Sequence, residues 1–175
     1  ARGETLLQLQ SHGLQLHSGD QTLFAKVQAS AQPAALGIQD LVIIAVKAPS
    51  MLDVAKQIQP LIGPNTVVMT AMNGVPWWFL QGFGGAYANT PLKSVDPHGQ
   101  IGTAILAQHL IGCVVHASCS LRAPGQVQHH FGNGLIIGEP TGGSSARVQA
   151  LHQLLHDAGF EATLSERIQK DVPMS

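Results

Sequence analysis

Apolar positions along the chain recur with two different periods, and the changes of period mark its elements. In "DLVIIAVKAPS" six consecutive apolar residues, Leu41 to Val46, lie between Asp40 and Lys47. A run so short and so rich in β-branched residues predicts a buried strand. Beyond it, Met51, Leu52, Ala55, Ile58, Leu61 and Ile62 fall close to one face at helical spacing. Ser50 is the expected N-cap of that helix and Gly63-Pro64 its stop. Thr66 to about Ala71 predicts a second buried strand. Strand, helix and strand in this order form a βαβ unit, and a right-handed crossover sets the two strands parallel.

The flanks follow the same logic. Glu4 to about Ser11 predicts a short helix with Gly13 just past its end, and "LQLH" and "TLF" around "SGDQ" predict a small hairpin. "VPWWFLQGFGGAYANTP" is too rich in Gly and aromatic residues for a regular element and is expected to form a loop or broken helix. "LIGCVVHASCS" is a third apolar strand. "GQVQHHFGNGLIIGEP" alternates and is expected to turn at Gly132-Asn133-Gly134 into an antiparallel pair. "SSARVQALHQLLHDAG" predicts an amphipathic helix capped by Ser144 or Ser145 and ended by Gly159, and "FEATLS" a last short strand. The fold class expected is therefore α/β, an open sheet with parallel strands and an antiparallel or mixed edge.

Composition narrows the function classes. Charged residues make up 11% and apolar residues 45% of the 175-residue chain, the balance of a globular protein with a core. A net charge of −1 without a cluster of Lys and Arg argues against a nucleic-acid partner and an anionic membrane surface. No apolar run approaches bilayer length, and "ARGETLLQLQ" does not have the pattern of a signal peptide. Cys113 and Cys119, if on one strand, stand roughly 20 Å apart at about 3.3 Å per residue, too far for a disulfide. Two reduced core thiols of a cytoplasmic protein are expected.

In open α/β sheets ligands bind beyond the C-terminal ends of the parallel strands. Lys47 and Asn73 both occupy that position, one strand apart. Lys47 either faces a negative ligand there or extends its stem to reach solvent. No glycine-rich dinucleotide motif supports the first reading: Gly82-Phe83-Gly84 and Gly132-Asn133-Gly134 begin G-x-G-x-x-G, but Tyr87 and Ile137 hold its last position. His152 and His156 have metal-pair spacing, yet with no third ligand a solvated helix face is the better reading. His129 and His130 are adjacent on a strand and point to opposite faces. His116 is a further candidate neighbour of a ligand. Trp77 and Trp78 either stack on a ligand or pack at a domain junction.

"ARGE", "VIIAVKAPS", "MNGVPWWF", "SVDPHGQIG", "GCVVHASCSLRAPGQVQHHFGNGLIIGEP" and "ALHQLLHDAGFEATLSERIQKDV" occur in the order found in ketopantoate reductases, the 2-dehydropantoate 2-reductases. The chain resembles that family over roughly residues 1 to 172. The resemblance implies a Rossmann-like NADPH-binding domain, an oxidoreductase that turns ketopantoate into pantoate for pantothenate and coenzyme A, and a cytoplasmic location. It implies that Arg2 reads the 2′-phosphate of NADPH, a task suited to a planar bidentate donor. Lys47 matches the family's lysine beside the cofactor's ribose and phosphates. Asn73 matches the asparagine that contacts cofactor and substrate, and Ser118 a position whose backbone touches the nicotinamide end.

Two departures qualify this. The family's first strand, glycine-rich loop and helix have no counterpart here, so the sheet is expected to be incomplete at its N-terminus, with unpaired edges. The family's Trp-x-Lys-Leu segment, which carries its general-acid lysine, would follow "RIQKDV"; Lys170 precedes it and does not match that role, and the C-terminal helical domain is not represented. Residues 1–172 are thus expected to be most of a cofactor domain, inactive alone, with a small keto acid as partner of the whole enzyme and a homodimer as one option. Two other readings stay open: a reductase of another 2-keto acid, and a non-catalytic binding or oligomerising module.

Overall fold

The computed structural model describes residues 1–173; Met174 and Ser175 lie outside the described residues. The chain forms helix α1 (Gly3–His12), hairpin strands β1 (Leu14–Ser18) and β2 (Gln21–Ala25), strand β3 (Leu41–Ile44), helix α2 (Met51–Ala55) and strand β4 (Val67–Ala71). A long loop leads to helix α3 (Gln100–Ala104), strands β5 (Leu110–Ala123) and β6 (Gln126–Gly138), helix α4 (Ala146–Asp157) and strand β7 (Glu161–Leu164). All seven strands join one sheet in the order β2-β1-β6-β5-β4-β3, with β7 also against β6. β3, β4 and β5 are parallel, whereas β5–β6 and β1–β2 are antiparallel. The outer side of β6 is shared: residues 126–129 pair with β1, and residues 134–137 with β7, both in parallel. The α/β class, the parallel βαβ unit and the mixed sheet are as the pattern predicts.

Four expectations change. β3 ends at Ile44 rather than Val46, and Ile43 is 49% exposed. β3 pairs only with β4, and the face that carries Ile43 is covered by α4 only further along the sheet, over Met69, Ile111, Leu135 and Ile137. The helix after β3 lasts five residues and gives way to a 3-10 turn at Gln59–Leu61, where Pro60, without an N–H, sits in the first turn. Ser50 is itself αR and makes no side-chain cap, so it is not the N-cap expected. No chain reversal forms at Gly132–Gly134: β6 continues through it with an irregularity at Gly132, φ +74°, and the chain reverses at Pro124-Gly125, where Gly125 adopts φ +73°. Gly132 serves a close approach instead, since a Cβ there would lie 2.4 Å from the His116 carbonyl oxygen.

The core has two layers. On one face Val148, Leu151 and Leu155 of α4, whose N-cap Ser145 accepts from the Val148 N–H, seal Met69, Ile111 and Ile137. On the other, Met51, Ile58, Ile101 and Ile168 surround Trp77 and Trp78. Trp78 reaches over β5 at Gly112, where an added Cβ would sit 2.5 Å from its ring and 3.0 Å from Ile168 Cγ1. The neighbours are buried and rigid, so overpacking cannot be relieved cheaply. Gly112→Ala is expected to destabilise by about 1–3 kcal/mol, read as a lower urea midpoint with an unchanged slope. An unchanged midpoint would show that the tryptophan is free to move.

Candidate functional site

The parallel strands bring two predicted residues into register. Ile44 of β3 lies opposite Thr70 of β4, and Lys47 and Asn73 follow those partners at equal spacing beyond the C-terminal edge. Lys47 is exposed at the start of a 3-10 turn, Ala48–Ser50, with extended backbone at φ −70°, ψ 148°. Both residues therefore stand at the edge where an open α/β sheet binds its ligands.

Asn73 is held more firmly than an exposed asparagine would be. Its Nδ2 donates to the Val115 carbonyl oxygen at 3.0 Å, and its Oδ1 accepts from the Val115 N–H at 2.9 Å. In the β4–β5 ladder Ala71 pairs with Cys113, so the next rung on the same offset is Asn73 with Val115. The side-chain amide thus stands in for a peptide group and extends the ladder past the end of the strand. The donor and acceptor on Val115 also settle which end of the amide faces which. Gly74 follows at φ +96° and turns the chain away. The loop is then pinned back by the Trp78 Nε1–H, which donates to Thr70 Oγ1 at 3.2 Å. Trp77 and Trp78 are therefore core residues, not a stacking platform.

Arg2 occupies the N-cap position of α1 but caps nothing. It lines a groove of about 540 Å³ along the outer edge of β3, together with Val42, Ile44, Val46 and Ser50. Lys47, Asn73 and Ser118 do not line that groove; Lys47 adjoins it through Val46. Among the described residues the ion pairs are Arg147–Glu139 and His156–Asp157, so Arg2 and Lys47 pair with no carboxylate. Ser118 is half-buried on β5, where the pairing with β6 slips between His116 and Ser118 and again before Cys119. Asn73 and Ser118 are thereby linked through β5, while Arg2 belongs to the neighbouring groove.

The remaining candidates lie apart from this edge or make local contacts. Among the described residues no three His, Cys, Asp or Glu side chains come together as a metal site. His152 bonds the Ala162 carbonyl and His156 is exposed. His129 lies between Ser18 Oγ and the Gly132 carbonyl, and His130 bonds Ser120. His116 is exposed at the slip in β5. Both thiols are free, but only Cys113 is a core residue, its pKa pushed up to about 12 by burial; Cys119 is exposed, contrary to expectation, beyond the slip that carries β5 out of the core.

Local pattern did not point to Glu139. It is buried at the end of β6, where Arg147 of α4 bonds both its oxygens and Ser145 donates to one. Arg147 also donates to the carbonyls of Gln108 and Leu110. Burial pushes the Glu139 carboxyl up, but bonds from Arg147 and Ser145 and the arginine's charge outweigh it and hold the group below 4.5. The cluster ties α4 to the start of β5 and the end of β6, remote from Asn73.

A 2-dehydropantoate 2-reductase of Mesorhizobium japonicum is 40% identical over 172 residues, which is 98% of this chain and 53% of that protein. The chain belongs to the ketopantoate reductase family. Residues 1–77 match the family described as Ketopantoate reductase PanE/ApbA. A crystal structure assigned as a ketopantoate reductase, from Ralstonia solanacearum MolK2, superposes with a TM-score of 0.95 at 49% identity, covering 98% of this chain and 53% of that one. D-mandelate dehydrogenase in a ternary structure with NADH and anilino(oxo)acetate shares the fold, with a TM-score of 0.72 at 20% identity, covering 93% of this chain and 46% of that one. The chain spans about half the length of the relatives it matches. The fold is thus the Rossmann-like domain of ketopantoate reductases.

Proposed function

We propose that this chain is the nucleotide-binding part of an NADPH-dependent 2-dehydropantoate 2-reductase, an enzyme that reduces ketopantoate to pantoate. The observation that carries the reading is the ligand edge itself. Among the described residues Arg2 and Lys47 have no carboxylate partner; Arg2 lines the groove beside β3, Lys47 follows the strand's end, and Asn73 stands in register one strand away. The donor set fits a phosphorylated dinucleotide: guanidinium and ammonium for phosphates, a neutral amide for a polar group with both donor and acceptor. When bound, a reduced nicotinamide cofactor would supply the hydride. In this arrangement Arg2 binds the 2′-phosphate, Lys47 the ribose and phosphates, and Asn73 with the Ser118 backbone orients the nicotinamide end.

Fluorescence titration of the chain with NADPH and NADH tests this. Arg2→Ala is expected to weaken NADPH binding about tenfold, on the order of 1.4 kcal/mol, and to leave NADH nearly unchanged. Lys47→Ala is expected to weaken both. A wild-type chain that binds neither nucleotide would sink the proposal. Equal losses of the two nucleotides in Arg2→Ala would remove Arg2 from the 2′-phosphate.

A further inference from the structure

We propose that Asn73 is a positioning residue: its side chain is an added rung between β4 and β5 that sets the Val115–Ser118 backbone, and through it the direction of its own free hydrogen-bonding groups. The nucleotide half of this statement rests on the function proposed above; the rung itself does not.

The need for a rung is local. β5 at Val115 has two neighbours to hold it. On one side β4 has ended at Ala71, so no main-chain partner remains. On the other the ladder with β6 is regular up to His116–Gly134 and then slips twice before Cys119–His129. An irregular ladder leaves backbone direction loosely specified. The Asn73 amide bonds both polar groups of Val115 just before that point. It is the tie on the β4 side where the β6 side weakens.

The arithmetic of a primary amide completes the argument. It has two N–H groups and two acceptor lone pairs. Val115 takes one of each, so one N–H and one lone pair remain, and the ladder geometry fixes their direction. A ligand at this point meets a single donor and a single acceptor that do not reorient. Aspartate at this position could still accept from the Val115 N–H, but its carboxylate would face the Val115 carbonyl without a proton to donate. Protonation would restore the donor.

The test uses the ¹⁵N-labelled 175-residue chain as wild type and two variants, Asn73→Ala and Asn73→Asp. Without nucleotide, Asn73→Ala is expected to speed hydrogen exchange of the Val115 amide at least about tenfold and to shift the Ser118 amide resonance. Asn73→Asp, nearly the same shape, is expected to show Val115 and Ser118 resonances that titrate in the carboxyl range, moving toward their wild-type positions as the pH falls. Neither wild type nor Asn73→Ala has a group at position 73 to produce that titration. Unchanged Val115 exchange in Asn73→Ala, or no titration at Ser118 in Asn73→Asp, overturns the rung. An NADPH titration runs beside these measurements. Tighter binding by Asn73→Asp at acid pH than at neutral pH, relative to wild type, supports the nucleotide half. A wild-type chain that binds no NADPH overturns that half together with the proposed function, while the exchange data decide the rung independently.

Discussion

Trp78→Ala is expected to cost about 3–5 kcal/mol of folding stability, the largest single loss in the chain. Trp78 is 2% exposed, and its ring lies against Gly112 and close to Ile168, in the layer that α2 and α3 complete. Removing it opens a cavity that the surrounding strands cannot close, because two of them, β4 and β5, are pinned in the sheet. Its hydrogen bond is the smaller term. Thr70→Val removes only the acceptor and strands a buried N–H, at about 1–3 kcal/mol. The two substitutions therefore separate packing from hydrogen bonding. Urea unfolding of both, with Trp78→Phe as an intermediate, gives the order expected: alanine worst, phenylalanine between alanine and wild type. Domains of this size carry only about 5–15 kcal/mol in all, so the alanine variant sits near the threshold of folding. If it unfolds at the wild-type urea midpoint, the second core layer is not organised around this residue.

The second large effect is expected at Arg147. Arg147→Ala leaves Glu139 buried without its cation and frees the carbonyls of Gln108 and Leu110. Breaking a fully buried pair costs about 3–5 kcal/mol, but Arg147 keeps 30% of its side chain in solvent. Screening there reduces the expectation to about 2–3 kcal/mol. The pH dependence identifies the cause. Glu139 titrates below its ordinary 4.5 in the folded chain, so its contribution is complete above about pH 4.5 and is lost as the pH falls through the lower folded value. With Arg147 gone, burial dominates and that acid-linked contribution disappears. The stability difference between wild type and Arg147→Ala should thus be greatest at neutral pH and shrink in acid. A difference independent of pH would assign the loss to packing and to the two carbonyls.

Local pattern was sufficient wherever neighbours in sequence are also neighbours in space. α1, the Ser145 cap of α4, β4 and β7 all depend on residues within a turn or a strand of one another, and each formed as expected. Prediction failed where a distant partner decides. Gly132-Asn133-Gly134 has turn chemistry, yet it forms an irregularity within β6 because the strand is paired with β5 on both sides of it; Gly132 supplies the positive φ and the nearness to His116. The exposure of Ile43 follows from the edge position of β3, which an apolar run does not encode. Among the site residues, the sequence pattern placed Lys47 and Asn73 at strand ends without the resemblance, because strand ends are local. The roles of Arg2 and Ser118 came only from the resemblance. That Asn73 bonds Val115 follows from the β4–β5 register, which joins segments 42 residues apart and leaves no local trace.

The shared outer side of β6 also constrains how the chain reaches its fold. The Pro124-Gly125 turn lets β5 and β6 meet early, since closing a two-residue loop costs little conformational entropy. The partners of that hairpin come from both ends of the chain: β1 bonds it across 111 residues, through Ser18 and His129, and β7 from downstream. Such distant pairings slow folding, because their loops must close before the contacts compensate. The β1–β2 hairpin therefore has no sheet to join until β6 exists. β1 and β2 thus precede β6 in sequence but can join the sheet only after it has formed.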